Sequence, residues 1–313
     1  MRAATVARYG GPEVVAITDQ PAPVPRAGQI LVRIRAASLN PLDSKLRSGA
    51  LRRVMPLPLP AILGFDLAGE VEAVGPGVTG FSIGERVYGR IDAKKGGTHA
   101  ERAVIAARVL DRVPERLSFE QAAALPLTGM TAVQGLRLLQ LRQGDRLLVN
   151  GAAGGVGVHA VQIGRAIGAT VIGVASGSSA PLVTRLGATR VLDYTRGELQ
   201  ATTERFDTIF DVMTNRPWPE MSRLLTSSGR YVTTGFSMNL ALQYVLGRLT
   251  SRRRIHFVVS RADGALMREL SGFVKRGELE PVIDSTWPLD RMREAYERLD
   301  AGHVHGKVVI TVP

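Results

Sequence analysis

Three glycines spaced three residues apart give the clearest sign of chemistry in this sequence. Gly151, Gly154 and Gly157 stand between a short apolar run at 147–149 and a stretch whose apolar residues recur at helical spacing. A glycine turn at the start of a helix brings backbone N–H groups close to a pyrophosphate, and the helix dipole favours the anion. The pattern predicts a dinucleotide-binding turn, and the alternative is a tight strand-to-helix turn without a ligand.

The residues that follow this turn predict the sheet that must position it. After the helix come a second apolar run at 170–176, a helical stretch to Leu186 and a third strand at 190–193. Strands and helices that alternate at this pitch are typical of βαβ units in a doubly wound parallel sheet. The expected fold class of this part is α/β, with a Rossmann-type nucleotide-binding sheet.

The end of the second strand bears on which nucleotide is bound. An Asp or Glu at this place would bind the free 2′-hydroxyl of NAD and repel a 2′-phosphate. The segment 175–179 contains no acid and offers serine hydroxyls and backbone N–H groups, and Arg185 or Arg190 could add positive charge. We therefore expect NADPH rather than NADH, and the alternative is an ordinary polar loop.

Composition excludes several classes of site. The chain has no cysteine, so thiolate nucleophiles, disulfides, iron–sulfur clusters and Cys-based zinc sites are ruled out. His303 and His305 form an H-x-H pair, which we interpret as a polar loop before the last strand and not as a metal site. No metal is expected.

The charge and hydropathy of the chain limit its partners. The net charge is +12, but the basic residues are dispersed and carry no interleaved aromatic residues, so a nucleic-acid partner is not expected. No segment approaches the ~20 apolar residues needed to cross a membrane. The first ten residues lead into an alternating strand and do not resemble a secretory signal, so a cytoplasmic protein is expected.

A chain of 313 residues is expected to form two domains. Residues 1–117 contain short alternating segments separated by glycine and proline, the pattern of an irregular β-barrel. One short helix is expected to start at Pro41, which suits a first helical position. A capping box at 118–121 predicts a helix and marks the end of this domain.

The second half supplies the rest of the parallel sheet and a tail that returns. Runs at 206–211, 229–235 and 255–259 bring the predicted parallel strands to six. The tail is expected to contain a helix capped at Asp290 and a last strand at 306–312. We assign that strand back to the first domain, so the predicted domains are 1–120 with 278–313, and 121–277.

Seven blocks of sequence follow one another along the chain. They are Ala37-Ser-Leu-Asn-Pro-Leu-Asp43, Leu63-Gly-Phe-Asp-Leu-Ala-Gly-Glu-Val71, Gly84-Glu-Arg-Val-Tyr-Gly89, Leu125-Pro-Leu-Thr-Gly-Met-Thr-Ala132, Asn150-Gly-Ala-Ala-Gly-Gly-Val-Gly157, Asp193-Tyr194 and Gly306-Lys-Val-Val309. In this order they resemble the zinc-less branch of the medium-chain dehydrogenase/reductase superfamily, the NADPH-dependent quinone oxidoreductase and alkenal reductase group. The resemblance covers essentially the whole length and implies a GroES-like barrel domain in addition to the Rossmann domain.

The resemblance also implies a reaction. Zinc-dependent members carry a Cys and a Gly-His-Glu where this chain has Asn40 and Gly64-Phe65-Asp66, so the Lewis acid of alcohol dehydrogenases is lost. What remains is hydride transfer from NADPH to a quinone or to the β-carbon of an α,β-unsaturated carbonyl. A 2-enoyl thioester reductase and a non-catalytic NADPH-binding protein with an acidic or nucleic-acid partner remain alternatives.

The residue roles implied by the resemblance fall into two groups. Asn40 should face the nicotinamide and the substrate, with Lys45 orienting the substrate in place of a tyrosine found in many quinone reductases. The alternative for Asn40 is a cap on the turn at Pro41. The expected cofactor-binding residues are Thr128, Thr131, Gly151, Ala152, Gly154, Gly155, Val156, Gly157, Ser176, Gly177, Tyr194, Gly235 and Phe236.

One of these residues, Tyr194, has an alternative interpretation. Tyr194 matches a position at the adenosine 2′-phosphate, but a tyrosine packed at a strand end would give the same sequence.

The apolar strand at 255–259 should lie at the edge of the sheet, and exposed apolar edges favour pairing. We therefore expect a homodimer.

Overall fold

The computed structural model describes residues 1–92, 96–235 and 254–313. In chain order its strands are β1 (Arg2–Val6), β2 (Val15–Asp19), β3 (Gln29–Ser38), β4 (Ala61–Ile62), β5 (Asp66–Val74), β6 (Arg86–Arg90), β7 (Arg102–Ala106), β8 (Leu110–Arg112), β9 (Arg146–Asn150), β10 (Thr170–Ala175), β11 (Arg190–Asp193), β12 (Phe206–Asp211), β13 (Leu225–Thr233), β14 (Arg254–Phe257), β15 (Ile283–Pro288) and β16 (Lys307–Thr311). The α-helices are Pro41–Arg47, Phe119–Ala123, Pro126–Leu138, Gly155–Ile167, Ala180–Arg185, Glu198–Ala201, Trp218–Arg223, Gly264–Lys275 and Met292–Asp300.

The chain divides into two compact units. The first comprises residues 1–127, 261–275 and 281–313, and the second comprises 128–260 and 276–280. The helix Gly264–Lys275, which the sequence analysis placed in the nucleotide-binding domain, belongs to the first unit in this division. The start of this helix is in close contact with another part of the first unit, because an added Cβ at Gly264 would lie 2.0 Å from the carbonyl oxygen of Arg108.

The first unit is built on a mostly antiparallel sheet in the order β15-β16-β3-β5-β6-β8, with β7 also paired to β3. Alternating residues of these strands point into one core, which includes Ile34, Leu67, Val87 and Ile310. The last strand pairs antiparallel with β3 and so lies in the first unit, the part of the chain to which its sequence pattern assigned it. Its pairing brings residues near 307 beside the end of β3.

The second unit contains a parallel sheet in the order β11-β10-β9-β12-β13-β14. This is the order of a doubly wound nucleotide-binding sheet, in which the chain reverses direction of growth between β9 and β12. Its centre is the apolar strand β9, whose residues 147–149 are fully buried. The six predicted strands are present, and the α/β class with a GroES-like first domain is confirmed.

Two local predictions have opposite outcomes. The capping box at 118–121 is present: the Ser118 hydroxyl accepts from the backbone N–H of Gln121, whose side chain accepts from Ser118 N–H. The cap at Asp290 is wrong. That carboxylate forms an ion pair with Arg2, residues 289–291 form a 3₁₀ turn, and the helix begins at Met292.

Candidate active site

The glycine turn has the shape that the sequence predicted. β9 is followed by Gly151, whose φ of +85° places it in the left-handed region. Gly154 is the N-cap of the helix Gly155–Ile167. A Cβ added to Gly157 would lie 2.0 Å from the carbonyl oxygen of Gly151, so only glycine allows this approach of helix and turn. The other predicted residues of the turn and the first helical turn are Ala152, Gly155 and Val156.

The turn leaves space for an anionic ligand such as a pyrophosphate. In the described part of the chain, a Cβ added to Gly154 meets one atom within 4 Å, the carbonyl oxygen of Gly151 at 3.6 Å. The front of the helix therefore has room for a ligand. A helix N-terminus presents backbone N–H groups and the positive end of its dipole, both of which favour an anion.

The loop after β10 is where a 2′-phosphate was expected. The Ser176 hydroxyl lies 3.0 Å from the hydroxyl of Ser178 and 2.8 Å from that of Ser179. Tyr194 opens a 3₁₀ turn after β11 and is 36% exposed. The loop is thus rich in hydroxyl groups, with Tyr194 on the adjacent turn.

A carboxylate also lies at this loop, and the sequence analysis missed it. Asp193 pairs in register with Ala175 across β10 and β11, and its Oδ2 would be 2.6 Å from a Cβ added to Gly177. It accepts hydrogen bonds from the N–H and hydroxyl of Thr195, and the hydroxyl contact is the main reason that the pKa of Asp193 is lowered. The acid lies on the neighbouring strand β11 and not in the segment 175–179.

A buried polar cluster follows β9, β12 and β13 at their carboxyl ends. The Asn150 amide donates to Asp211 Oδ1 at 2.8 Å, and the Tyr231 hydroxyl donates to Asp211 Oδ2 at 2.7 Å. The backbone N–H of Gly235 donates to the Thr233 hydroxyl at 3.1 Å. Carboxyl ends of parallel strands are where ligands of open α/β sheets bind, so this cluster fixes the strand ends there.

The remaining residues predicted to hold the cofactor lie at the start of the second unit and after β13. Thr128 and Thr131 are on the helix Pro126–Leu138, three residues apart, and both are buried. Residues three apart share one face of a helix, so the two threonines have a common direction. Gly235 is described above, and Phe236 lies outside the described residues.

In the first unit, the Asn40 amide is at the centre of a hydrogen-bonded cluster. Its Nδ2 donates to Asp66 Oδ2 at 2.9 Å, and its Oδ1 accepts from Lys307 Nζ at 2.5 Å. Asp66 also accepts from the Ser38 hydroxyl at 3.0 Å and from the backbone N–H of Leu127 at 2.8 Å. Asn40 is 1% exposed and Lys307 is 3% exposed, so the cluster is shielded from water.

The sheet explains how residues so distant in sequence meet. β3 ends at Ser38, which pairs with Asp66 at the start of β5 and with Val309 in β16. Lys307, the first residue of β16, therefore lies beside the chain as it leaves β3 towards Asn40. Asn40 can be singled out from the sequence, whereas the roles of Asp66 and Lys307 follow only from this strand pairing.

Asp43 anchors the same turn through its carboxylate. It accepts from the backbone N–H of Asn40 at 2.8 Å and from that of Gly64 at 2.9 Å. Burial raises the pKa of Asp43 to about 7, against the lowering effect of these two N–H groups and of Lys307. Lys45, in contrast, is exposed on the helix Pro41–Arg47.

The atoms around Asn40 do not suit a zinc ion. Structural and catalytic zinc sites use thiolate, imidazole and carboxylate ligands, whereas here an amide faces a lysine ammonium. Phe65 is buried in the apolar core, and both carboxylate oxygens of Asp66 accept hydrogen bonds. In residues 1–92, 96–235 and 254–313, no group of three or more His, Cys, Asp or Glu side chains could hold a metal.

Within the described ranges, no helix is both long and apolar enough to span a membrane.

Two family models match the chain. One, described as an alcohol dehydrogenase GroES-like domain, matches residues 26–115. The other, described as zinc-binding dehydrogenase, matches residues 186–310.

The chain is also similar to whole proteins over nearly its full length. It is 32% identical to the quinone oxidoreductase of Rattus norvegicus, covering 98% of this chain and 96% of the relative. It is 29% identical to a chloroplastic NADPH-dependent alkenal/one oxidoreductase of Arabidopsis thaliana, covering 99% and 79%. The solved quinone oxidoreductase from Coxiella burnetii superimposes with a TM-score of 0.93 at 30% identity, covering 100% and 99%.

Proposed function

The chain belongs to the quinone oxidoreductase and alkenal/one reductase group of the medium-chain dehydrogenase/reductase superfamily, and from this we propose a specific reaction. The protein transfers a hydride from NADPH to a quinone or to the β-carbon of an α,β-unsaturated carbonyl, without zinc. The observation that carries the proposal is the Asn40 amide, held between Asp66 and Lys307. It provides a neutral hydrogen-bond donor where zinc-dependent members place a metal ligand.

The second unit would hold the cofactor. Backbone N–H groups of the turn at 151–157 bind the pyrophosphate, and the space at Gly154 admits it. Thr128, Thr131 and Gly235 contact the nicotinamide end, while Ser176, Gly177 and Tyr194 contact the adenosine 2′-phosphate. When bound, the reduced nicotinamide supplies the hydride.

The first unit would act on the substrate. As the hydride reaches the β-carbon, negative charge develops on the carbonyl oxygen, and Asn40 Nδ2 donates a hydrogen bond to that oxygen. A donor held out of bulk water is effective because it needs no reorganisation when the charge appears. Lys45 is exposed and contributes to substrate orientation. The enolate is then protonated, with water as the ultimate proton source.

Turnover against a panel of acceptors tests this function. NADPH oxidation would be followed by stopped flow with quinones, enals, enones and 2-enoyl thioesters, before and after exhaustive chelation. We expect turnover with quinones and enones that chelation leaves unchanged. Turnover with thioesters alone would favour an enoyl thioester reductase, and activity lost on chelation would overturn the zinc-free mechanism. NADPH binding without any turnover would favour a non-catalytic binding protein.

A further inference from the structure

Lys307 is buried at a position where a charge is costly. Its Nζ donates to the carbonyl oxygen of Leu39 at 2.6 Å and to Asn40 Oδ1 at 2.5 Å, and it lies 3.6 Å from Asp66 Oδ2. Burial lowers the pKa of Lys307, while the carboxylates of Asp66 and Asp43 oppose that shift. A buried ion pair is weak evidence for stability, because well-packed apolar residues are often as good. A role beyond stability is therefore worth seeking.

The contacts of Lys307 and Asp66 fix which way the Asn40 amide faces. In the observed orientation the ammonium donates to Oδ1, and Nδ2 donates to the carboxylate. If the amide were rotated by half a turn, Nδ2 would face an ammonium that only donates, and Oδ1 would face a carboxylate that only accepts. Both contacts would be lost, so a single orientation is permitted.

The same contacts change the strength of the amide as a donor. Positive charge at Oδ1 draws electron density from the amide nitrogen, and hydrogen bonds in a low-dielectric site polarise one another. Nδ2 carries two hydrogens, and Asp66 accepts one of them. The second hydrogen is the one that the proposed reaction requires.

We propose that Lys307 is a positioning residue for the reaction: its ammonium orients and polarises the Asn40 amide, so that the second N–H of Nδ2 stabilises the oxyanion of an enone. This inference rests on the proposed function and assigns it a further residue, 267 positions from Asn40. Lys307 touches neither substrate nor cofactor in this scheme and acts through Asn40. The dependence should be greater for enones than for quinones, because quinones are more electrophilic and need less help at the oxygen.

The test compares two acceptors in charge variants of the cluster. Lys307→Met removes the ammonium at similar length, and Lys307→Met with Asp66→Asn also removes the Asp66 charge, so that this carboxylate is not left without its ammonium. Lys275→Met removes an exposed lysine as the matched control. We expect roughly a tenfold fall in kcat with an enone, less than the ~10²–10³-fold cost of removing an oxyanion donor itself, because Lys307 only positions that donor. The quinone kcat should change less than about twofold, with the KM for NADPH unchanged.

A spectroscopic readout keeps this test separate from that of the proposed function. The chain has four asparagines, so selective labelling gives four side-chain amide signals. Because Asp66→Asn would add a fifth asparagine and change a direct partner of Asn40, this readout uses Lys307→Met alone. In that variant we expect the Asn40 signal to move while those of Asn150 and Asn215 stay in place. Equal losses with enone and quinone, or an unmoved Asn40 signal, would overturn the positioning role. Absence of wild-type turnover, with the Asn40 signal shifting as expected, would instead reject the proposed function.

Discussion

The backbone of Gly151 and the α-carbon of Gly157 are in such close contact that an added Cβ at 157 would lie 2.0 Å from the Gly151 carbonyl oxygen. At Gly154 the same addition would leave 3.6 Å, an ordinary contact. The two glycines of one motif therefore have different tasks. Gly157 allows the helix to pack on the turn, and Gly154 leaves open the space in front of the helix where we propose that the pyrophosphate binds.

This difference predicts two separable phenotypes. Gly157→Ala should lower the free energy of unfolding by roughly 1–3 kcal/mol, because the side chain forces the backbone apart. Gly154→Ala should leave stability within about 1 kcal/mol and weaken NADPH binding at least tenfold, because its methyl group occupies the anion site. Chemical denaturation and calorimetric titration measure the two quantities. Equal NADPH affinity in Gly154→Ala and wild type would show that the pyrophosphate lies elsewhere.

The preference between NADPH and NADH should respond to two residues at one loop. Ser176→Asp should reverse the preference, because a carboxylate there repels the 2′-phosphate and accepts from a 2′-hydroxyl. Asp193→Asn should favour NADPH by a further factor of roughly two to five, since it removes a half-buried, partly screened charge beside Gly177. Asn retains an oxygen for Thr195 N–H, so the turn should persist. Dissociation constants for NADPH and NADH, measured for each variant, give the preference directly, and an unchanged ratio would contradict the prediction.

The sequence predicted features that depend on neighbours along the chain. The glycine turn, the capping box at 118–121 and the six parallel strands follow from local spacing and were found. Asp193 was missed because the relevant acid lies on the adjacent strand, and only the register of β10 with β11 places it at Gly177. Lys307 was missed for the same reason, since the pairing of β16 with β3 brings it to Asn40. Polar side chains do not recur at a regular spacing along the sequence. No sequence pattern therefore shows which of them meet when strands pair.

Asn40 itself should prove important for the chemistry. Asn40→Ala should lower kcat with an enone by roughly tenfold to a hundredfold while cofactor affinity changes little, and Lys45→Ala should have a smaller effect. Ser38→Ala is the matched control, because Ser38 is equally buried and also donates to Asp66 but has no role at the substrate. If Asn40→Ala kept its kcat and only lowered Tm, the residue would be a structural part of the turn.

A homodimer is expected to form through the edge of the parallel sheet. β14 is the last strand of that sheet among the described residues, and Val259, just beyond it, is 72% exposed. Light scattering should give twice the 33.6 kDa mass of one chain. Val259→Lys should weaken the dimer, whereas Val24→Lys, at a valine 80% exposed in the first unit, should not. The monomer mass at micromolar concentration would refute this assembly.

His99 should make the stability depend on pH. It is 1% exposed, its Nδ1 lies 3.3 Å from the Tyr296 hydroxyl, and burial lowers its pKa to about 4. The carbonyl of Ser38 opposes this shift and the Lys307 ammonium adds to it. A lowered folded-state pKa means that the contribution to stability is present above pH 6.5 and is lost as the pH falls through about 4.

The Asp43 carboxylate changes the stability in the opposite direction over the same pH range. Its raised pKa gives a contribution that is present below about pH 4 and is lost as the pH rises through about 7, so the wild-type profile is partly cancelled. The difference between wild type and His99→Gln isolates the histidine. As the pH falls from 7 to 4, the wild type should lose about 3 kcal/mol of unfolding free energy relative to His99→Gln. A difference that does not vary with pH would show that His99 can take up a proton in the folded protein at no cost.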